Sequence, residues 1–216
     1  METIYKKLNI DKFGFWFICF GLITQVITYI LTEDTLLSMI SGIAGVISVV
    51  LCSQRKVSFY LWGFIQLGTF SIICLNEQLY GKLFENLFYT VTMLYGIYIW
   101  TLNRDEKEIV KTRSLNSKNK TYIIIQTIGL ISVLYIALTR LGDTQPLFDS
   151  ISTGLAIIAQ MLMILRYKEN WIYWFLVDLL CIIMFIVAEN YCMVMQYIFW
   201  TGNCLYGYLK WKKDVN

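Results

Sequence analysis

Phe88-Tyr89-Thr90-Val91-Thr92-Met93-Leu94-Tyr95-Gly96-Ile97-Tyr98-Ile99-Trp100 returns later in the chain as Phe199-Trp200-Thr201-Gly202-Asn203-Cys204-Leu205-Tyr206-Gly207-Tyr208-Leu209-Lys210-Trp211. The shared pattern, Phe-aromatic-Thr-x3-Leu-Tyr-Gly-x3-Trp, needs no gap. Working outward, Tyr80 pairs with Tyr191, Arg55 with Arg166 and Gly45 with Gly154. A one-residue shift pairs Trp62 with Trp174 and Gln66 with Asp178. Residues 34–100 and 143–211 therefore read as two copies of one unit, and a repeat of this length governs the whole fold.

Both copies are apolar. The chain is 57% hydrophobic and only 15% charged, with mean hydropathy +0.58. Soluble domains run near 25% charged. A 216-residue soluble domain has no core large enough to hide so much apolar surface, so the bilayer is the expected solvent. Eight stretches are long enough to span it, near 13–31, 36–53, 57–75, 80–102, 121–139, 147–165, 171–188 and 191–209. The first reads as a spanning helix and not a signal peptide, since it is long and no small-residue cleavage site follows.

Lysine and arginine placement sets the orientation. With eight crossings, Lys6, Lys7, Lys12, Arg55, Lys56, Arg104, Lys107, Lys111, Arg113, Lys118, Lys120, Arg166, Lys168, Lys210, Lys212 and Lys213 share one side. Only Lys82 and Arg140 fall on the other. This bias predicts cytoplasmic termini and a cell (inner or plasma) membrane location. A unit of three crossings ends opposite its start, so a parallel second copy requires one intervening helix, and 121–139 supplies it. The expected organisation is an N-terminal helix (1–33), a first three-helix repeat (34–102), a cytoplasmic linker and connecting helix (103–142) and a second repeat (143–211). The 103–120 segment, with six basic and three acidic residues, reads as a solvated linker. Parallel repeats place a substrate path at their interface in many carriers, which predicts transport.

The 3+1+3 arrangement is shared by the PnuC vitamin transporters and the sugar-carrying SWEET proteins, and the details resemble PnuC. Glu169-Asn170-Trp171-Ile172-Tyr173-Trp174 followed by Asp178 is similar to the Trp-x-x-Trp helix start of that family. Leu79-Tyr80, Phe88-Tyr89 and Leu94-Tyr95-Gly96 followed by Trp100 resemble its first-repeat third helix. The resemblance covers roughly 34–211. It implies uptake of nicotinamide riboside by facilitated diffusion with alternating access, a cytoplasmic kinase trapping the product. It also brings in thiamine, riboflavin and deoxynucleosides as cargoes of related members. The family's nicotinamide riboside carriers imply a glutamine near Asn86 and an asparagine near Met93, where this chain departs, so thiamine stands as the alternative cargo.

Strongly polar groups at membrane depth are functional candidates because they are expensive there. Trp171, Trp174 and Asp178 are spaced i, i+3, i+7 and share a helix face. A flat cationic ring stacked on the tryptophans would gain a cation–π contribution of about 0.5–2 kcal/mol and be balanced by Asp178. Trp171 equally suits an interfacial belt, and Asp178 equally suits a structural role opposite a tyrosine or Gln66. Gln196, Trp200 and Asn203 share a face with Gly207, their repeat mates being Glu85, Tyr89, Thr92 and Gly96. Gln196 and Asn203, like Gln66 and Asn86, either bind ribose hydroxyls or an amide, or join helices to one another. Trp62 and Tyr89 complete the candidate substrate set, and Glu85 reads as a solvated entrance residue.

Other chemistries find no residues. There is no histidine, and Cys19, Cys52, Cys74, Cys181, Cys192 and Cys204 make no Cys-x-x-Cys pair, so no metal or cofactor is expected and the cysteines read as apolar packing. No phosphate-binding loop or acid–base team is present, arguing against an enzyme. Glu33, Asp34 and Asp143 read as helix-end caps, and Pro146 as the first residue of a helix. The net charge of +3 gives no reason to expect nucleic acid. The expected partners are a small-molecule substrate and the lipid bilayer, and a homo-oligomer is compatible with the sequence. A non-transporting membrane component is the rival from another class.

Overall fold

The computed structural model describes residues 10–32, 35–76, 78, 80–106, 108–187, 189 and 191–215. Lys6, Lys7, Glu33, Asp34, Leu79 and Lys107 lie outside the described residues, as do the side chains of Tyr80, Tyr191 and Cys192. Among the described residues eight helices follow in order: α1 (Lys12–Thr32), α2 (Leu36–Ser53), α3 (Phe59–Asn76), α4 (Tyr80–Leu102), α5 (Ser117–Arg140), α6 (Pro146–Ile164), α7 (Asn170–Val187) and α8 (Tyr191–Val215). No strand forms among the described residues. Pro146 does start α6, where its missing N–H is one of the donors a helix start leaves unused. Thr35 caps α2 by accepting from Ser38 N at 3.1 Å, and Asn116 caps α5 by accepting from Asn119 N at 2.8 Å.

The apolar surface is distributed for lipid. On α1, Phe13, Trp16, Phe20, Ile23, Ile27 and Ile30 are exposed, and on α5 only Thr127 is buried. Small residues face inward: Ser41, Ala44, Gly45 and Ser48 on α2, and Ser150, Gly154, Ala156 and Ala159 on α6. This is how helices pack in a bilayer, where water does not drive them together and close backbone approach does. Among the described residues, six helices (α1, α2, α3, α5, α6 and α7) are long and apolar enough to cross a membrane. The two that fall short, α4 and α8, carry the amides and many of the tyrosines of the repeated motif.

The chain divides into two compact units, Met1–Lys111 with α1–α4 and Thr112–Asn216 with α5–α8. Within each, consecutive helices pack on one another. Both units contain the same turn. After α2, Arg55 is left-handed (φ 63°), with Arg55 N donating to Cys52 O and Lys56 N to Leu51 O. After α6, Arg166 is left-handed (φ 65°), with Arg166 N donating to Met163 O and Tyr167 N to Leu162 O. These paired bonds close the helix end as a Schellman motif. Each turn carbonyl then accepts from an extended residue of its own unit, Val110 N at 2.9 Å on Arg55 O and Arg113 N at 2.7 Å on Arg166 O.

These landmarks set the repeat register. Arg55 and Arg166, the helix starts Phe59 and Asn170, and the closing tryptophans Trp100 and Trp211 are all 111 residues apart. The edge-to-face pairs agree: Tyr60–Trp100 (5.7 Å, 90°) matches Trp171–Trp211 (5.4 Å, 88°). The one-residue shift suggested by the tryptophans is therefore corrected. The two turns have equal length, so Trp174 corresponds to Gly63, Asp178 to Leu67, Gln66 to Val177 and Gly45 to Ala156.

The 103–120 segment is also more ordered than a solvated linker. Val110 and Leu115 are buried in its midst. Glu169, only 5% exposed, accepts from Ser114 Oγ (3.0 Å) and Leu115 N (3.1 Å), with Lys120 Nζ at 3.9 Å. Asp214 accepts from Thr112 N and Oγ1 at 2.9 and 3.0 Å. The described charges of this segment are exposed while Val110 and Leu115 are buried.

Candidate functional site

In the second unit, α7 and α8 bring together the polar residues predicted for substrate. Asp178 is 4% exposed and Asn203 2% exposed. Asp178 Oδ2 accepts from the Cys204 thiol at 3.3 Å. Among the described residues no donor reaches its other oxygen, Oδ1. Trp174, one turn before Asp178, is half-buried against the Leu155–Ala156–Val177 cluster. Trp200, one turn before Asn203, meets Tyr197 edge-on (5.0 Å, 76°), and Tyr197 stacks on Phe185 of α7 (5.5 Å, 24°). The indole N–H of Trp200 is buried and has no acceptor among the described residues. Gln196 is half-buried one turn before Trp200. A carboxylate with one open oxygen, an indole N–H and aromatic faces are groups that suit a flat cationic ring with polar substituents.

Trp171 is occupied otherwise. It is 4% exposed, edge-on to Trp211 and seated over Gly207, where a Cβ would come within 2.6 Å of its ring. It belongs to the α7–α8 crossing, beside the turn.

In the first unit, the predicted residues are mostly engaged in helix contacts. Asn86 is buried and spends both Nδ2 hydrogens on α3, donating to Leu67 O and Ser71 Oγ at 2.7 Å each. Tyr89 donates to Glu85 Oε1 at 3.0 Å, and Lys82 pairs with Glu85 at 3.1 Å, as suits a solvated helix start. The Gln66 amide lies in the notch at Gly45, and Ser41 Oγ donates to the Gln66 carbonyl. Trp62 is half-buried on α3. Met93 is buried over Gly63. An open groove of about 620 Å³ runs between α3 and α4, lined by Phe64, Leu67, Leu83, Phe84 and Leu87 among others. It includes none of the predicted site residues and is almost wholly apolar.

The sequence casts all six cysteines as apolar packing, but the buried Cys204 thiol donates to Asp178. Spacing alone gives no sign of a bond between residues 26 apart on adjacent helices.

The family profile described as nicotinamide mononucleotide transporter matches residues 35–213. The chain belongs to the PnuC family. It is 34% identical over 199 residues to the nicotinamide riboside transporter PnuC of Haemophilus influenzae, covering 90% of this chain and 87% of that one. It is 28% identical over 203 residues to the PnuC of Neisseria mucosa, covering 88% and 77%. It is also similar to the crystal structure of the vitamin B3 transporter PnuC, with TM-score 0.81, 27% identity and coverage of 95% and 92%. As a member of the PnuC family, this chain is a multi-pass membrane protein and a transporter. Its all-helical fold and exposed apolar faces agree with that assignment.

Proposed function

We propose that this protein carries nicotinamide riboside across the cell (inner or plasma) membrane by facilitated diffusion with alternating access, and is not an enzyme. One observation carries the reading: Asp178 is buried midway along α7, with no donor to its Oδ1 among the described residues, one helical turn from Trp174. Such a charge is costly in hydrocarbon unless a cation meets it. Nicotinamide riboside has a flat cationic ring to lie on Trp174 and face Asp178. Its hydroxyls and amide match Gln196, Asn203 and the Trp200 indole N–H. Trp62, Gln66, Asn86 and Tyr89 of the first unit are weaker candidates, because Asn86 and Tyr89 already hold partners within that unit. Trp171 acts through packing.

In this reading all eight helices cross, arranged as an N-terminal helix and a 3+1+3 repeat. Both termini and all the basic residues except Lys82 and Arg140 face the cytoplasm, following the positive-inside rule. Thiamine is the second cargo, favoured because Asn86 and Met93 stand where riboside carriers of the family are expected to have a glutamine and an asparagine. A homo-oligomer is compatible with this reading and plays no part in it.

The test is uptake by Trp174→Ala and Asp178→Asn variants that still insert and purify normally. Loss of a buried charge partner costs about 2–5 kcal/mol, so Asp178→Asn should raise KM at least tenfold. Unchanged uptake in both variants would remove this site.

A further inference from the structure

The corrected register sets each residue of the α7–α8 crossing against its counterpart in α3–α4. Gly63 corresponds to Trp174, Leu67 to Asp178 and Met93 to Cys204, all at the 111-residue spacing. In the first unit the small residue is on α3 and the long one on α4. A Cβ on Gly63 would lie 2.5 Å from Met93 Cε, so the methionine fills the glycine notch. Met93 is 6% exposed and Leu67 9% exposed, so apolar side chains take these two places, Leu67 beside the groove between α3 and α4. In the second unit the sizes are exchanged. The large residue, Trp174, is on α7 and the small one, Cys204, is on α8.

This exchange gives Cys204 two tasks that a methionine could not perform. By the 111-residue register, a side chain of Met93's length at position 204 is expected to meet the Cβ of Trp174, as Met93 Cε meets a Cβ built on Gly63. A thioether also has no hydrogen to give, whereas the Cys204 thiol donates to Asp178 Oδ2 at 3.3 Å. A thiol is a weak donor, so it fixes the rotamer of the carboxylate while leaving most of its charge for another partner. The bond engages one oxygen of a side chain that is 96% buried and leaves the second without a donor among the described residues.

We infer that Cys204 is a positioning and specificity-determining residue: its thiol orients Asp178 toward the cargo and its small volume admits Trp174. Recognition of the cationic ring then belongs to the second unit, and Met93 fills the equivalent place in the first. This rests on the cargo reading above.

The experiment measures KM and maximal rate of nicotinamide riboside uptake in proteoliposomes for wild type, Cys204→Ser, Cys204→Ala, Cys204→Met and Met93→Leu. Thermal unfolding of each variant separates misfolding from altered recognition. Cys204→Ser keeps a small donor and should hold KM within about threefold of wild type. Cys204→Ala loses the donor and should raise KM about tenfold with the maximal rate little changed. Cys204→Met should lose uptake while still inserting, and Met93→Leu should leave KM unchanged. In an Asp178→Asn background, Cys204→Ala should add nothing further, since the two side chains act through one bond. Wild-type uptake with equal KM in the serine, alanine and methionine variants overturns the role of Cys204 alone. Absent wild-type uptake overturns the cargo reading and this inference with it.

Discussion

Replacing Gly207 with alanine should destabilise the second unit, by an amount the geometry sets. The added Cβ would lie 2.6, 2.7 and 2.8 Å from Cε2, Cδ2 and Cζ2 of Trp171. Carbon atoms pack at about 3.5–4.0 Å, so the indole would have to retreat by roughly 1 Å. It has nowhere to go, because Trp171 is 4% exposed and its other side meets Trp211, which is fully buried. With no room to relax, overpacking here falls in the upper part of the usual range, about 2–3 kcal/mol. The better helix propensity of alanine returns up to about 1 kcal/mol, leaving a net loss of about 1–2 kcal/mol. For a chain of this size that lowers Tm by roughly 2–8 °C. Gly68 on α3 is the control. A Cβ there meets nothing within 4 Å, so Gly68→Ala should hold or raise Tm. Gly63→Ala should fall between the two, because Met93 Cε is the far end of a flexible side chain and can swing away. Unfolding in detergent followed by tryptophan fluorescence reads all three. Equal Tm values for the Gly207 and Gly68 variants would refute the close α7–α8 crossing.

Asn86→Leu removes two 2.7 Å hydrogen bonds to α3 and should lower Tm with little change in KM, since this amide holds helices together; a changed KM at unchanged Tm would return Asn86 to the binding site. Glu169→Ala frees Ser114 Oγ and Leu115 N and should speed tryptic cleavage at Lys111 or Arg113, seen by limited proteolysis; cleavage at the wild-type rate would mean that Glu169 does not pin this segment. Lys120→Ala should have a far smaller effect on the same cleavage, because its 3.9 Å contact with Glu169 is long and half-exposed.

The helices were legible because a 20-residue apolar requirement is a strong filter and the repeated motif fixed the third helix of each unit. The misses have local causes. α5 begins at Ser117 and not near 121, because Asn116 caps a polar first turn that carries no apolar signal. α8 runs to Val215, past the apolar stretch, because Lys212 and Lys213 suit the negative end of the helix dipole. The repeat register was read one residue out across α3 and α7, since tryptophan matching favoured Trp62–Trp174. The backbone turns at Arg55 and Arg166, whose hydrogen bonds have no sequence signature, settle it otherwise. The burial of Val110 and Leu115 was hidden by the charges around them. In the candidate site, the shared face of Trp174 and Asp178 follows from spacing within one helix. The Cys204–Asp178 bond does not, because it joins two helices.

Uptake of labelled nicotinamide riboside and of labelled thiamine into proteoliposomes containing only this protein tests the central claim most directly. Saturable nicotinamide riboside uptake, competed by the unlabelled compound and requiring no imposed ion gradient, is the predicted result. Uptake of thiamine alone would reassign the cargo, and uptake of neither compound in the absence of an ion gradient would contradict the proposed carrier function.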